Sequence, residues 1–170
     1  MQLQTLRDLF VEQLRDLHSA ETQLVEALPT MAAAATHDEL RQAFEHHLEE
    51  TRDHVARLDE IFGMLGVSHS GHECKGMKGL IEEGREFVTM QAADTAVRDA
   101  GLIAAAQRVE HYEISGYGTA KTLAGHLDLG EAKDLLDRTL DEEANADKLL
   151  TKIATGGTFK SGINQEAKAR

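Results

Sequence analysis

The chain has 170 residues, a formal net charge of −12, 4% aromatic residues, one proline and one cysteine. That length allows one domain with a real core, and its plentiful Ala, Leu, Glu, Lys and Arg favour helix almost throughout. The negative balance excludes a nucleic-acid-binding face and docking on anionic membranes, which both need a cationic patch. The lone Cys74 excludes an intramolecular disulfide and fits a reducing cytoplasm.

The N-terminal MQLQTLRDLFVEQLRD carries acids and no unbroken apolar run, so it does not read as a signal peptide. No segment approaches the roughly 18–20 apolar residues of a membrane span. Leu3, Leu6, Phe10, Leu14, Leu17, Leu24 and Leu28 recur at helical spacing and predict an amphipathic helix from about residue 3 into the mid-thirties. Pro29 is expected to kink it or start a new turn, because proline lacks an N–H and crowds the preceding turn. Thr36-His37-Asp38 reads as a break, with Asp38 as N-cap of the next helix. That helix runs from about Glu39 to Leu65 on a stripe of Leu40, Phe44, Leu48, Thr51, Val55, Leu58 and Phe62, and ends at Gly63 and Gly66.

A loop follows over residues 66–75, then a shorter helix from about Met77 to Met90, and a second break capped by Asp94 or Thr95. The next long helix covers about residues 95–125, and Gly116 and Gly118 within it point to close helix packing. After a turn between Gly125 and Gly130, the last long helix spans about Glu131 to Ala154, and the remainder reads as a loose tail. Two helical hairpins are thus joined by a crossover of about thirty residues carrying a short helix, enough to traverse a four-helix bundle. The expected organisation is an all-α bundle over residues 1–155 and a flexible tail over 156–170. The hairpins also match internally: the separation of Glu21 from Glu50 nearly equals that of Glu113 from Glu143.

Every long helix carries acids inside its apolar stripe. Glu21 sits between Leu17 and Leu24; Glu50 and His54, with His47 a turn earlier, flank Thr51; Glu110 and Glu113 share a face with Ile103 and Tyr117; Glu143 and Asp147 interrupt Leu136, Leu140 and Leu150. Each set falls near the middle of its helix, so antiparallel packing brings them to one level. A buried ionised carboxylate costs several kcal/mol, and these stripes hold few basic residues. Bound cations are the economical answer: two divalent metals supply about +4 against about −6 from six carboxylates. Hard oxygen donors with one imidazole suit iron or manganese. The pattern is that of ferritin-like dinuclear sites, with a glutamate from each of two helices and a paired motif from the others.

The segments LRDLHSAETQLVEAL, FEHHLEETRDHVARLDEIF, GLIEEG, VRDAGLIAAAQRVEHYEISGYGTAKTLA and LLDRTLDEEANADKLL resemble the YciF-type ferritin-like stress proteins over about residues 3–154. IAAAQxVEHYEIxxYGT is the most specific piece. The resemblance implies a ferritin-like bundle, a homodimer and a role in stress response. It extends to rubrerythrins, whose third-helix Glu-x-x-Glu pair is matched by Glu110 and Glu113. By position it implies Glu21, Glu50, Glu110, Glu113 and Glu143 as carboxylate ligands. The chain departs from the common Glu-x-x-His pattern. Glu50 is followed by Asp53 at i+3 and His54 at i+4, and Glu143 by Ala146 and Asp147. Both spacings stay on one helix face. The metal set is therefore Glu21, Glu50, His54, Glu110, Glu113, Glu143 and Asp147, with Asp53 as the alternative to His54.

The expected function is a dinuclear iron or manganese centre reacting with dioxygen or peroxide, with no catalytic side chain assigned. The rival is a metal-free dimeric helical scaffold. His69, His72 and Cys74 in HSGHEC match no firm zinc pattern and read as a polar loop. His18, His37, His46, His111 and His126 read as surface or cap residues, with His18 one turn before Glu21 and so placed to support it. Tyr117, more than Tyr112, is placed to hydrogen-bond a ligand carboxylate.

Overall fold

The structure is a computed structural model that describes residues 3–91, 94–157 and 160–168. Its elements are α1 (Leu6–Ala34), α2 (Asp38–Leu65), α3 (Lys75–Thr89), α4 (Thr95–His126), α5 (Gly130–Thr155), an antiparallel two-residue ribbon of β1 (Gly156–Gly157) and β2 (Lys160–Ser161), and α6 (Ile163–Lys168). It is an all-α bundle. Among the described residues no helix is long and apolar enough to cross a membrane.

Thr5 starts α1 with a capping box: its hydroxyl accepts from the Asp8 N–H at 3.1 Å, and the Asp8 carboxylate accepts from the Thr5 N–H at 2.9 Å. Leu3 and Leu6 stay exposed, so the buried stripe begins at Phe10. The helix runs on through Pro29 without starting a new turn. Pro29 is exposed, on the side where water can meet a carbonyl left without its N–H partner.

The turn into α2 departs from expectation. Asp38 lies inside the first turn, and His37 is the N-cap, without a side-chain cap bond. The buried Asp99 of α4 does the capping from across the bundle. It accepts from the Thr36 N–H (3.0 Å), the Thr36 hydroxyl (2.7 Å) and the His37 N–H (2.8 Å). Cys74, buried and unpaired, caps α3, and Asp94 caps α4 by accepting from the Ala96 N–H at 2.9 Å.

α1 packs on α2 and α4, and α5 packs on α4 and α2, while α3 lies along α1 and α4. Cross-helix bonds fix the directions. Arg7 reaches the Leu65 carbonyl while His18 meets Asp59, so α1 and α2 are antiparallel. Gln107 meets Asp147 while Lys121 meets Asp137, so α4 and α5 are too. Close approach of α1 and α4 occurs at Gly116, where a Cβ would stand 2.8 Å from Leu17 Cδ2; Gly118 faces nothing within 4 Å.

The expected loose tail is folded where it is described. α6 packs on α4 and α5, and Ile163 is buried. Gly156 makes the turn possible, with φ +72° and Ser161 and Gly162 backbone pressed where a Cβ would sit.

The hydrophobic core comes in two pieces. One is built on Leu24, Leu28, Leu40, Phe44, Leu102 and Leu150, the other on Phe10, Leu14, Leu58, Ile61, Phe62 and Leu136. Along every long helix the two pieces are separated by polar side chains. Glu21, Thr51, His54, Glu113 and Glu143 in that layer are each 0% exposed.

Candidate metal centre

The antiparallel register carries mid-helix acids from three long helices, and histidines from the fourth, to one level. α1 supplies Glu21, α2 supplies His47 and His54, α4 supplies Glu110 and Glu113, and α5 supplies Glu143. They form two groups. His47, Glu110, Glu113 and Glu143 make one; Glu21, His54 and Glu143 make the other; within each, one ligand atom per residue lies within 4.8 Å of all the rest. Glu143 belongs to both.

His54 Nδ1 approaches Glu143 Oε1 to 3.0 Å and Glu21 Oε1 to 3.3 Å without hydrogen-bond alignment. His47 Nε2 lies 3.5 Å from Glu110 Oε1 and 3.7 Å from Glu143 Oε2. Both oxygens of Glu113 and of Glu143, Glu21 Oε2, Glu110 Oε2, both His47 nitrogens and His54 Nδ1 are buried without a hydrogen-bond partner. Buried polar atoms are otherwise nearly always satisfied, so this many orphans at one level mark a site shaped for something else.

The titration behaviour follows from burial and crowding. Burial, then the neighbouring carboxylates, pushes Glu110 and Glu113 well above the usual acid range; for Glu110 the His47 charge only partly offsets this. Burial raises Glu21 as well, against the pull of His54 and Tyr117. Glu143 suffers the same burial, but the flanking His54 and His47 outweigh it and hold its carboxyl below the usual range. Burial disfavours the imidazolium of His47 and His54, yet the surrounding glutamates win and lift them to about 9 and about 11.

A ring of support holds these groups. Tyr117 donates its hydroxyl to Glu21 Oε1. His54 Nε2 lies 3.1 Å from Glu142 Oε2, and Arg57 clamps Glu142 while donating to Thr139 Oγ1 at 3.0 Å. The pairing with Glu142 occupies Nε2, so Nδ1 is the nitrogen that faces Glu21 and Glu143. Thr51, the inward residue between the two histidines, spends its hydroxyl on the His47 carbonyl at 2.7 Å.

The family model described as "Domain of unknown function (DUF892)" matches residues 5–168. The chain belongs to the DUF892 family. It is 42% identical over 166 residues to Protein YciF of Escherichia coli, covering 97% of this chain and 99% of that protein. The crystal structure of the E. coli stress protein YciF superposes with a TM-score of 0.85 at 44% identity, over 88% of this chain and 94% of that one. YcfI of Rhodopseudomonas palustris gives 0.84 at 42% identity, over 89% and 96%. A Xanthomonas campestris protein shares the fold, with a TM-score of 0.69 at 19% identity, over 97% of this chain and 94% of that one.

In this DUF892 chain the structure brings together Glu21, His54, Glu110, Glu113 and Glu143 of the expected set and leaves out two members. Glu50 stands at the rim with 27% of its side chain exposed, between His46 and His47. Asp147 turns toward α4, where Gln107 donates to it at 3.0 Å. Both are displaced by helical phase: at about 3.6 residues per turn, Asp147 lies about 40° beyond Glu143 and Glu50 about 60° short of His47. Asp53 is exposed, so the buried His54 is the residue that enters.

His47 was the missed member. Its signal is the His47-Thr51-His54 spacing of four and three, which stacks both rings on one stripe. That stripe leaves the expected Leu48 and Val55 only half-buried. Tyr117 meets Glu21 as expected, whereas Tyr112 donates to Asp16 at 2.6 Å. His18 pairs with Asp59 at 3.0 Å and does not reach Glu21. His72 is held by Glu12 and Asp16 at 3.0 and 2.9 Å, tying its loop to α1.

Proposed function

We propose that this chain is a ferritin-like stress protein of the YciF type whose polar layer holds a dinuclear metal centre, with iron or manganese as the metal, that reacts with dioxygen or peroxide. The observation that carries this is the set of orphaned oxygen and nitrogen atoms converging from four helices, with Glu143 common to both groups. The residues fit such a centre. Four carboxylates and two imidazoles form a hard donor set, and two divalent ions balance four ionised carboxylates. Glu21, His54 and Glu143 would hold one ion, and His47, Glu110, Glu113 and Glu143 the other. When bound, the metals would supply electrons to the oxidant.

The rest is the work of the protein. Tyr117 fixes one oxygen of Glu21 and leaves the other free to ligate. Glu142, braced by Arg57, holds the His54 ring in orientation. The apolar clusters on either side keep bulk water away, which strengthens every charge interaction in the layer. A buried, unpaired Cys74 suits a cytoplasmic setting, and the resemblance points to a homodimer, which light scattering would check.

One observation favours the rival, a metal-free scaffold in stress response. His47 and His54, both inclined to hold protons, offset part of the acid charge. They leave Glu113 without a hydrogen-bond partner, however. The deciding experiment is elemental analysis of protein stripped with chelator and reloaded anaerobically with iron(II) or manganese(II). We expect about two ions per chain, and loss of at least one in Glu113→Gln with helix content unchanged. A wild-type protein that takes up neither metal sinks the proposal and leaves the scaffold.

A further inference from the structure

One run of polar side chains crosses from solvent to the buried layer between α2 and α5. It begins at His46, whose side chain is 70% exposed and whose Nε2 lies 3.5 Å from Glu50 Oε1. The other Glu50 oxygen lies 3.5 Å from His47 Nδ1. His47 Nε2 then faces Glu110 Oε1 at 3.5 Å and Glu143 Oε2 at 3.7 Å. Side-chain exposure falls along the run from 70% to 27%, 8%, 4% and 0%. Imidazole and carboxylate alternate at each step. Each gap is longer than a good hydrogen bond of about 2.7–3.2 Å, so the run is not a closed network. Each is short enough for one cation to touch both neighbours in turn.

His46, Glu50, His47 and Glu110 of this run line a cavity of about 110 Å³, walled on its other sides by Phe44, Ala146, Leu149 and Leu150. At about 30 Å³ per water molecule, it admits an ion with part of its hydration shell. On the side toward α4, the rim carboxylate Asp147 is instead engaged by Gln107, with His111 3.5 Å away.

Resting on the metal-centre reading, we propose that His46 and Glu50 form the entry route for divalent transition-metal ions, which they pass to His47 and the buried carboxylates without remaining bound to them. This gives Glu50 a role its place at the rim otherwise lacks. A transit group lowers the barrier for entry and exit alike. Its removal slows uptake and release by the same factor and leaves final occupancy unchanged. A resident ligand behaves oppositely, since its loss lowers occupancy and speeds release.

The test is stopped-flow uptake of cobalt(II) by the metal-free full chain, followed through its ligand-field absorption, and release into excess EDTA. The proteins are wild type, His46→Gln, Glu50→Gln and Ala146→Leu, the last filling the cavity without touching the polar run. Charge-lined clefts raise association rates by factors of about 10 or more. We therefore expect Glu50→Gln to take up and release cobalt about tenfold more slowly at unchanged stoichiometry, with His46→Gln and Ala146→Leu also slowed in both directions. Wild-type rates in all three variants overturn the route alone. Lower stoichiometry or faster release in Glu50→Gln overturns it by making Glu50 a ligand. A wild-type protein that binds no cobalt overturns the metal-centre reading and the route with it.

Discussion

Glu113 and Asp147 show how much a few tens of degrees of helical phase decide. Both acids lie on mid-helix stripes and both read as ligands in the sequence. Glu113 is fully buried with neither oxygen hydrogen-bonded, whereas Asp147 keeps 21% of its side chain exposed and is bonded to Gln107. Removing a donor from the orphaned set should therefore matter, and removing one from the rim should not. Asp147→Asn is expected to keep the full metal complement on elemental analysis. His47→Gln is expected to lose affinity for one ion by about 10- to 100-fold or more, the range seen even for groups that only orient ligands. Metal loss in Asp147→Asn with retention in His47→Gln would reverse the assignment of the inner faces of α5 and α2.

The elements are held in register by contacts that few sequence signals announce, and Asp99 is the clearest. A carboxylate from α4 reaches the α1–α2 turn and collects two backbone N–H groups and a hydroxyl. Asp99→Ala strands those donors at a partly buried turn. We expect it to cost about 2–4 kcal/mol in urea denaturation, with Asp99→Asn recovering part of the loss. A change under about 0.5 kcal/mol, typical of neutral surface substitutions, would show the contact to be incidental.

The five long and middle helices were legible because leucines and phenylalanines recur at helical spacing and Asp94 sits where a cap belongs. The phase of α2 was harder. Leu40, Phe44, Thr51 and Leu58 fit two stripes, and apolar bias chose Leu48 and Val55 where the bundle turns His47 inward beside the expected His54. A local reading could not place Asp99, since its partners are brought near only by the crossover. Nor could it order the tail, where Ile163 is one apolar anchor in a polar stretch.

For the molecule as a whole, the polar layer sets the response to pH. In the metal-free protein, His47 (about 9), His54 (about 11), Glu21, Glu110 and Glu113 are all raised above their ordinary values. Each binds its proton more tightly folded than unfolded. The stability from the raised groups is complete below the unfolded values, near 4.5 for the acids and 6.5 for the histidines, and is lost as pH rises through the folded ones. Glu143 and Glu142 are lowered, so their contribution is present above 4.5 and lost only in more acid solution. Thermal melting of chelator-treated protein should therefore fall steadily between about pH 5 and pH 9. Metal ligation requires deprotonated donors, so the rise in melting temperature on loading should grow over the same interval. A flat profile without metal, or a metal effect that shrinks with pH, would contradict the raised values.

The split of the apolar core into two pieces has a dynamic consequence. Helices ordinarily fray from their tips inward, so amide protons at mid-helix exchange slowest. Here the tips interlock through leucine and phenylalanine while the waist, around Glu21, His54 and Glu113, gathers unfulfilled charge. Deuterium should enter the waist of the metal-stripped bundle before the flanking thirds, and the order should invert once cations rivet the four rods together.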